Sequence, residues 1–392
     1  MPALPTLLTT GLTAGLLALT GTLVTAEPGS DDSKVSAATI TIRGHGFGHG
    51  HGLSQYDAEG AARRGKSYRQ IVNYYYPGTR WGRAAGDVKV LISADRTSDV
   101  VVGPRAGLTV RARRSGQSWN LTKAKRGAKR WRSTPLSGGR SEIEFKTSGW
   151  HRWRVVGGDA EFTAGGKPIR LYLPSGSVQY RGVLRSVNND TVNILPLDAY
   201  LKGVVPREVI ASAWHQQALR AQATAARTYA AYERREPLAG HYQICDTTQC
   251  QVYGGYSAEY PTSNTAVDAT AHQILTKSGK PAFTQFSASS GGWTSAGSFS
   301  YLPAKPDKYD GWSGNPYHSW KVTLADRNLE REWPAIGNLR SIRVSGRDGH
   351  GDWGGRVGTV TLRGSGGRVT VSGDDFRSRL GLRSTWFTLR VS

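Results

Sequence analysis

No stretch beyond residue 26 is long and apolar enough to cross a bilayer, so the rest of the 392-residue chain offers no transmembrane helix. Cysteine is nearly missing: Cys245 and Cys250 are the only two, which limits covalent stapling to one bridge. Negative charge is scarce as well. With 29 Asp+Glu against 51 Lys+Arg, the formal charge is +22, which suggests a polyanionic partner such as nucleic acid, anionic lipid or an anionic wall polymer. No nucleic-acid-binding motif is present, which argues against the first. The glycine-rich run at residues 43–55 lacks the Lys-Ser/Thr ending of a phosphate loop and the G-x-G-x-x-G spacing in any register, which argues against a nucleotide site. Serines in "SASSGG" do not form the G-x-S-x-G elbow of a serine hydrolase.

What is present predicts export and an α+β fold. Residues 1–26 read as a signal peptide: an apolar run ends in Val24-Thr25-Ala26, although "MPALPT" lacks the usual basic start. Residues 27–38 read as a polar linker. The "RGHGFGHGHGLSQ" run opens a segment over 39–82, and its Gly/non-Gly alternation predicts a strand with one bare face that another backbone or a ligand can approach. Two short helices follow, the second begun by a capping-box spacing, Ser67 to Gln70. Residues 83–190 alternate in short β runs broken by Gly, Ser and Asn, and form an inserted all-β region. Residues 191–310 turn helical, with one long alanine-rich helix between Ser212 and Glu236 whose Ala218, Ala221, Gln222, Ala225, Thr228, Tyr229 and Tyr232 recur at helical spacing. Residues 311–392 return to β alternation, and the β-rich style of both ends suggests that they share one sheet system.

Glu208 in "GVVPREV" is the best candidate for an acid. Its surroundings are apolar and Pro206 fixes the local backbone, so burial would disfavour the ionised form and hold a proton near neutral pH. The alternative is a carboxylate that stabilises a helix end or pairs with an arginine. His45, His49 and His51 on a straight strand do not converge on one ion; lining a polar cleft with Gln55 is the better reading, against histidines that only bond loop carbonyls. Cys245 and Cys250 are expected to form a disulfide in an oxidising compartment, with a zinc site that also uses His241 as the sharper alternative.

Together, "GHGFGHGHGLSQYDAEGAARRGKSYRQIVNYYYPGT", "LDAYLKGVVPREV", "WHQQALRAQATAARTYAA", "CQVYGG" and "FSASSGGWT" resemble the SpoIID/LytB domain family, from about residue 40 to residue 300. The resemblance implies a core of helices packed on β-sheet and a wall-directed role. Known members are peptidoglycan lytic transglycosylases or enhancers of wall amidases. It implies that Glu208 is the acid, and that His45, His49, Gln55, Gln222, Arg227, Tyr229, Ser289 and Ser290 contact or orient the glycan. The expected partners are peptidoglycan glycan strands, anionic wall polymers and a wall amidase, not nucleic acid. No cofactor is expected unless zinc occupies His241, Cys245 and Cys250.

Overall fold

The computed structural model describes residues 38–392. The expected signal peptide, and the expected linker up to residue 37, lie outside the described residues. Among those described, the fold is α+β, with strands in several sheets and helices gathered in two places.

The region over 83–190 supplies most of two facing sheets, antiparallel except where Ile244–Cys245 adds to the first as a parallel edge strand. One has seven strands, with Asp190–Pro196 flanked by Asp87–Leu91 and Val183–Val187; the other has six, centred on Arg130–Leu136 and Val100–Val102. Alternate side chains point inward, so Val88, Val110, Phe162 and Leu184 of the first sheet share a core with Val102, Trp131, Ile143 and Leu171 of the second.

The helical part packs on the same core. Strand β1 (Thr39–His45) and the two-residue strand β2 (Leu53–Ser54) precede α1 (Gln55–Arg63), which Ser54 caps by accepting the Asp57 N–H. Helix α2 (Tyr68–Tyr75) begins with the capping box read from Ser67 and Gln70. After a single-turn α3 (Leu121–Ala124) in the β region come α4 (Leu197–Glu208), α5 (Gln216–Glu233) and α6 (Pro261–Ala269). Helix α5 is the long helix that the alanine spacing predicts. Ala218, Ala221, Ala223, Ala225, Ala226, Ala230 and Ala231 are all buried, and their small side chains let α1, α2, α4, α6 and the strand Gln273–Lys277 pack around it.

The two ends do share a sheet. Strand β1 lies between Ser319–Ala325 and Phe387–Val391, antiparallel to both. Ile40 and Ile42 thereby join a second core with Trp320, Trp333, Val360, Leu362, Phe376 and Phe387, beside a three-stranded sheet and helices α7 (Asp326–Glu332) and α8 (Gly373–Arg379). The segment expected over 39–82 is therefore divided, with β1 in the second core and Leu53 onward in the first.

The strand expected through "RGHGFGHGHG" ends at His45. Gly46, Gly48, Gly50 and Gly52 all have positive φ, between 66° and 103°, so the run is a tight loop and not an extended ribbon. Its bare face is still used as the alternation implies. A Cβ at Gly46 would lie 2.7 Å from the Ser289 carbonyl oxygen, and one at Gly48 would lie 2.8 Å from Ser287 Cβ. The glycines let this loop lie against residues 285–292, which the Phe47–Ser289 backbone bonds hold in place.

Candidate active site

Glu208 is the last residue of α4. The helix continues through Pro206 and does not turn at it, and the Val209 N–H closes the final turn on the Val205 carbonyl at 3.1 Å. This places the Glu208 side chain on the floor of a cleft of about 640 Å³. The cleft is also lined by Phe47, His49, Gln55, Tyr229, Gln249 and Arg377, among others. Glu208 is the only carboxylate in this lining.

Three groups set its chemistry. The Val252 N–H donates to Glu208 Oε1 at 3.0 Å, and the Gln55 amide, on the first turn of α1, also bonds the carboxyl. Burial outweighs both of these and the neighbouring Arg207 charge, so the carboxyl is pushed above the ordinary glutamate range. The Val252 loop is held from two sides. A disulfide joins Cys245, in a short strand paired with Asp87–Leu91, to Cys250, and Gln251 bridges the Tyr200 hydroxyl and the Ala226 carbonyl. His241 instead bonds Asp190 at 2.6 Å, and no group of three or more His, Cys, Asp or Glu among the described residues is arranged to hold a metal.

His49 lines the cleft, but both ring nitrogens are used. Nδ1 accepts the His51 N–H at 2.9 Å, so the neutral ring carries its proton on Nε2, which the Phe286 carbonyl takes. Burial, reinforced by His51, Arg356 and Arg377, lowers its pKa to about 3. It is a neutral strut between the glycine loop and the opposite wall. Tyr229 stands beside Phe283 and Phe286, with its hydroxyl on Glu233.

The other expected contacts lie elsewhere. Arg227 is fully buried: Nε meets Asp198 Oδ1 at 2.6 Å, and the remaining nitrogens reach the carbonyls of Ala223, Val267 and Gln273 and the Thr270 hydroxyl. It ties the start of α4 to α5, α6 and the next strand, and its burial outside the cleft lining keeps it from a sugar. Gln222 is buried on α5, outside the cleft lining, with neither amide atom bonded. Ser289 and Ser290 are buried around Asp310, whose carboxylate also takes Ser54, Asn315 and His318. Their neighbour Ser287 is the serine that lines the cleft. His45 is not among the residues lining the cleft and stacks on Trp353 at 4.8 Å, with Asp352 3.3 Å from its Nε2.

Arg377, from α8, is a lining residue that sequence reasoning missed; no local pattern in "DDFRSRL" marks it. Phe47 and Arg207 were legible only as neighbours of residues already singled out.

A separate cavity of about 270 Å³ lies between α1 and α2 and is lined by Asp57, Tyr75 and Asp307. The Tyr75 hydroxyl is 2.6 Å from Asp57 Oδ2 and 2.7 Å from Asp307 Oδ1. One hydroxyl carries one proton, so this geometry needs a protonated carboxyl on one side. Burial accordingly raises Asp57 to about 6 and Asp307 well above its usual range.

Residues 186–276, which include Glu208 and both cysteines, match SpoIID, described as stage II sporulation protein. This segment carries the SpoIID match, and the relatives the chain is similar to bear the names amidase enhancer and stage II sporulation protein D. A stretch of 162 residues is 36% identical to the amidase enhancer of Bacillus subtilis (strain 168), covering 37% of this chain and 21% of that protein. Stage II sporulation protein D of Bacillus amyloliquefaciens is 29% identical over 257 residues, 57% of this chain and 67% of its own. The protein of the same name from Bacillus subtilis (strain 168) is 49% identical over 230 residues, 52% and 63%. The chain thus spans about a fifth of the amidase enhancer and about two thirds of the sporulation proteins. The SpoIID match takes in neither the glycine loop nor Arg377, both of which line the cleft.

Proposed function

We propose that the protein is a secreted peptidoglycan lytic transglycosylase in which Glu208 serves as both acid and base. The observation that carries this reading is a cleft with one carboxylate in its lining, whose pKa burial raises. Glycosidases that use water generally need two carboxyl groups, one as acid and one as base or nucleophile. A transglycosylase needs one, because the nucleophile is the muramic acid's own C6 hydroxyl. Glu208 gives its proton to O4 of N-acetylglucosamine as the bond from C1 of N-acetylmuramic acid breaks. The resulting carboxylate then accepts the C6 hydroxyl proton as O6 bonds to C1, which restores the acid. The product is a 1,6-anhydromuramyl end, formed without water. The +22 charge supports a wall-bound location among anionic polymers.

The likeness to a protein named amidase enhancer favours a second reading, a non-catalytic wall protein that recruits or stimulates an N-acetylmuramoyl-L-alanine amidase. Purified protein incubated with sacculi, followed by mass spectrometry, separates the two. The first reading expects anhydromuropeptides from the parent and none from Glu208→Gln. Equal release by both, or none by either, overturns it, and salt-sensitive binding with stimulation of an added amidase then supports the second.

A further inference from the structure

We propose that one end of the outer face of the six-stranded sheet is a binding site for a polyanion, a base-free phosphodiester polymer of the polyol-phosphate kind. The site is a cavity of about 440 Å³ that shares no lining residue with the cleft, so it stands or falls separately from the reading of Glu208.

The run "KAKRGAKRWR" over residues 123–132 places six cations in ten positions. The fold turns this local excess into a site by adding arginines from distant segments. Lys129 lines the cavity together with Arg105, from the loop after Val100–Val102, and Arg170, from the strand Ile169–Leu173. Arg130 adjoins them, with its guanidinium carbon 3.9 Å from the centre of the Tyr172 ring, which also lines the cavity. No carboxylate is among the lining residues. Arg105 gives one nitrogen to the Pro168 carbonyl, and its buried Nε is left without a partner.

The rest of the same sheet face matches its charges. Arg132 meets Glu144, directly opposite on the next strand, and Asp99, while Arg152 meets Glu142 at 2.8 Å. Arg130, two residues before Arg132, instead stands directly opposite Lys146, a like-charge pair that costs stability. Among the described residues, Arg105, Lys129, Arg130 and Arg170 form no ion pair, in contrast to Arg132 and Arg152. Positive charge left unmatched at one end of a face that is matched elsewhere points to an anion supplied from outside.

The arrangement narrows the anion. Arg105, Lys129 and Arg170 reach one concave space from three separate segments, which suits the divergent oxygens of a phosphate better than a flat carboxylate. Single-stranded nucleic acid is held by rings on which its bases stack. Tyr172 is the one aromatic residue in this lining, and Arg130 covers a face of its ring. The cavity is therefore built to hold a phosphate backbone and offers no platform for bases.

The test is calorimetric titration of a short poly(glycerol phosphate) into the full chain at several salt concentrations, with single-stranded DNA and poly-glutamate of equal charge in parallel. Lys129→Gln/Arg170→Gln alters two exposed residues, so its melting temperature is expected to hold. Its affinity for poly(glycerol phosphate) is expected to fall about tenfold, and its salt dependence to become shallower by about one unit of slope for each cation removed. Arg327→Gln/Arg340→Gln removes the same charge from exposed positions outside the cavity and should bind as the parent does. Equal loss in both double variants, or no binding by the parent at low salt, overturns the site. Tighter binding of DNA or poly-glutamate than of poly(glycerol phosphate) overturns the assigned ligand. Loss of binding in Glu208→Gln would place the polymer in the cleft and overturn the separate cavity.

Discussion

Glu208 and Asp310 are both carboxylates withdrawn from water, and they differ in how much of each is left for a ligand. Asp310 is fully buried and accepts from Ser54, Ser289, the Ser290 backbone, Asn315 and His318, all within 3.1 Å. Five residues from separate parts of the chain thus converge on one carboxylate, which leaves it little capacity for anything else. Glu208 keeps one backbone N–H and one amide, and its remaining edge lines an open cleft. Burial alone does not make a reactive acid. What distinguishes Glu208 is hydrogen-bonding capacity left unspent on the protein.

That contrast can be broken from either side. The largest effect is expected at Glu208→Gln, a loss of roughly 10²- to 10⁴-fold in anhydromuramyl formation with no fall in melting temperature. A clear loss of stability would place Glu208 with Asp310 as a structural group. Asp310→Ala should do the reverse and lower unfolding free energy by about 3–5 kcal/mol, because five buried or half-buried partners lose this acceptor; denaturant titration measures this. Arg227→Met comes next, at about 3 kcal/mol, since Asp198 and several carbonyls are left without their donor. Its activity per folded molecule should be retained, and a stable but inactive Arg227→Met protein would return Arg227 to the cleft.

The smallest effect concerns Asp57 and Asp307, and it depends on pH. Both carboxyls are raised in the folded state, so folding holds protons that the unfolded chain releases near pH 4. The stability linked to these protons is full below about pH 4 and is lost as pH rises through about 6 and beyond. Asp307→Asn removes one titration and should raise stability at pH 8 by on the order of 1 kcal/mol, with little change at pH 4. Thermal melts across that range check it, and an unchanged pH slope would mean that the pair does not share a proton.

Local periodicity carried the elements well. The alanine spacing of α5 and the capping box of α2 depend on residues three or four apart, which a sequence displays directly. The apolar context of "GVVPREV" likewise pointed to the burial of Glu208. The roles of Arg227, Ser289 and Ser290 were not legible, because each is decided by a partner distant in the chain: Asp198 lies 29 residues from Arg227, and Asp310 lies 21 from Ser289. Both kinds of residue look equally reactive in one dimension. The glycine loop misled differently. Period-two alternation is the mark of a strand, but glycine at every second position also permits a left-handed loop, and the chain takes that form where residues 285–292 press against it. Arg377 had no local signal at all.

Strand β1 has a further consequence, in the order of synthesis. Residue 39 is among the first described residues to be made, yet its backbone bonds Ser392, and β1 is completed only by Phe387–Val391. The glycine loop hangs directly from β1, and Arg377 arrives with the last helix. These two parts of the cleft lining therefore cannot be fixed until the segment through Val391 has been made. A contact spanning nearly the whole sequence is also slow to find, so assembly of the site should be a late event in folding. The last strand acts as a latch on the first, and the cleft stays unfinished until that latch closes.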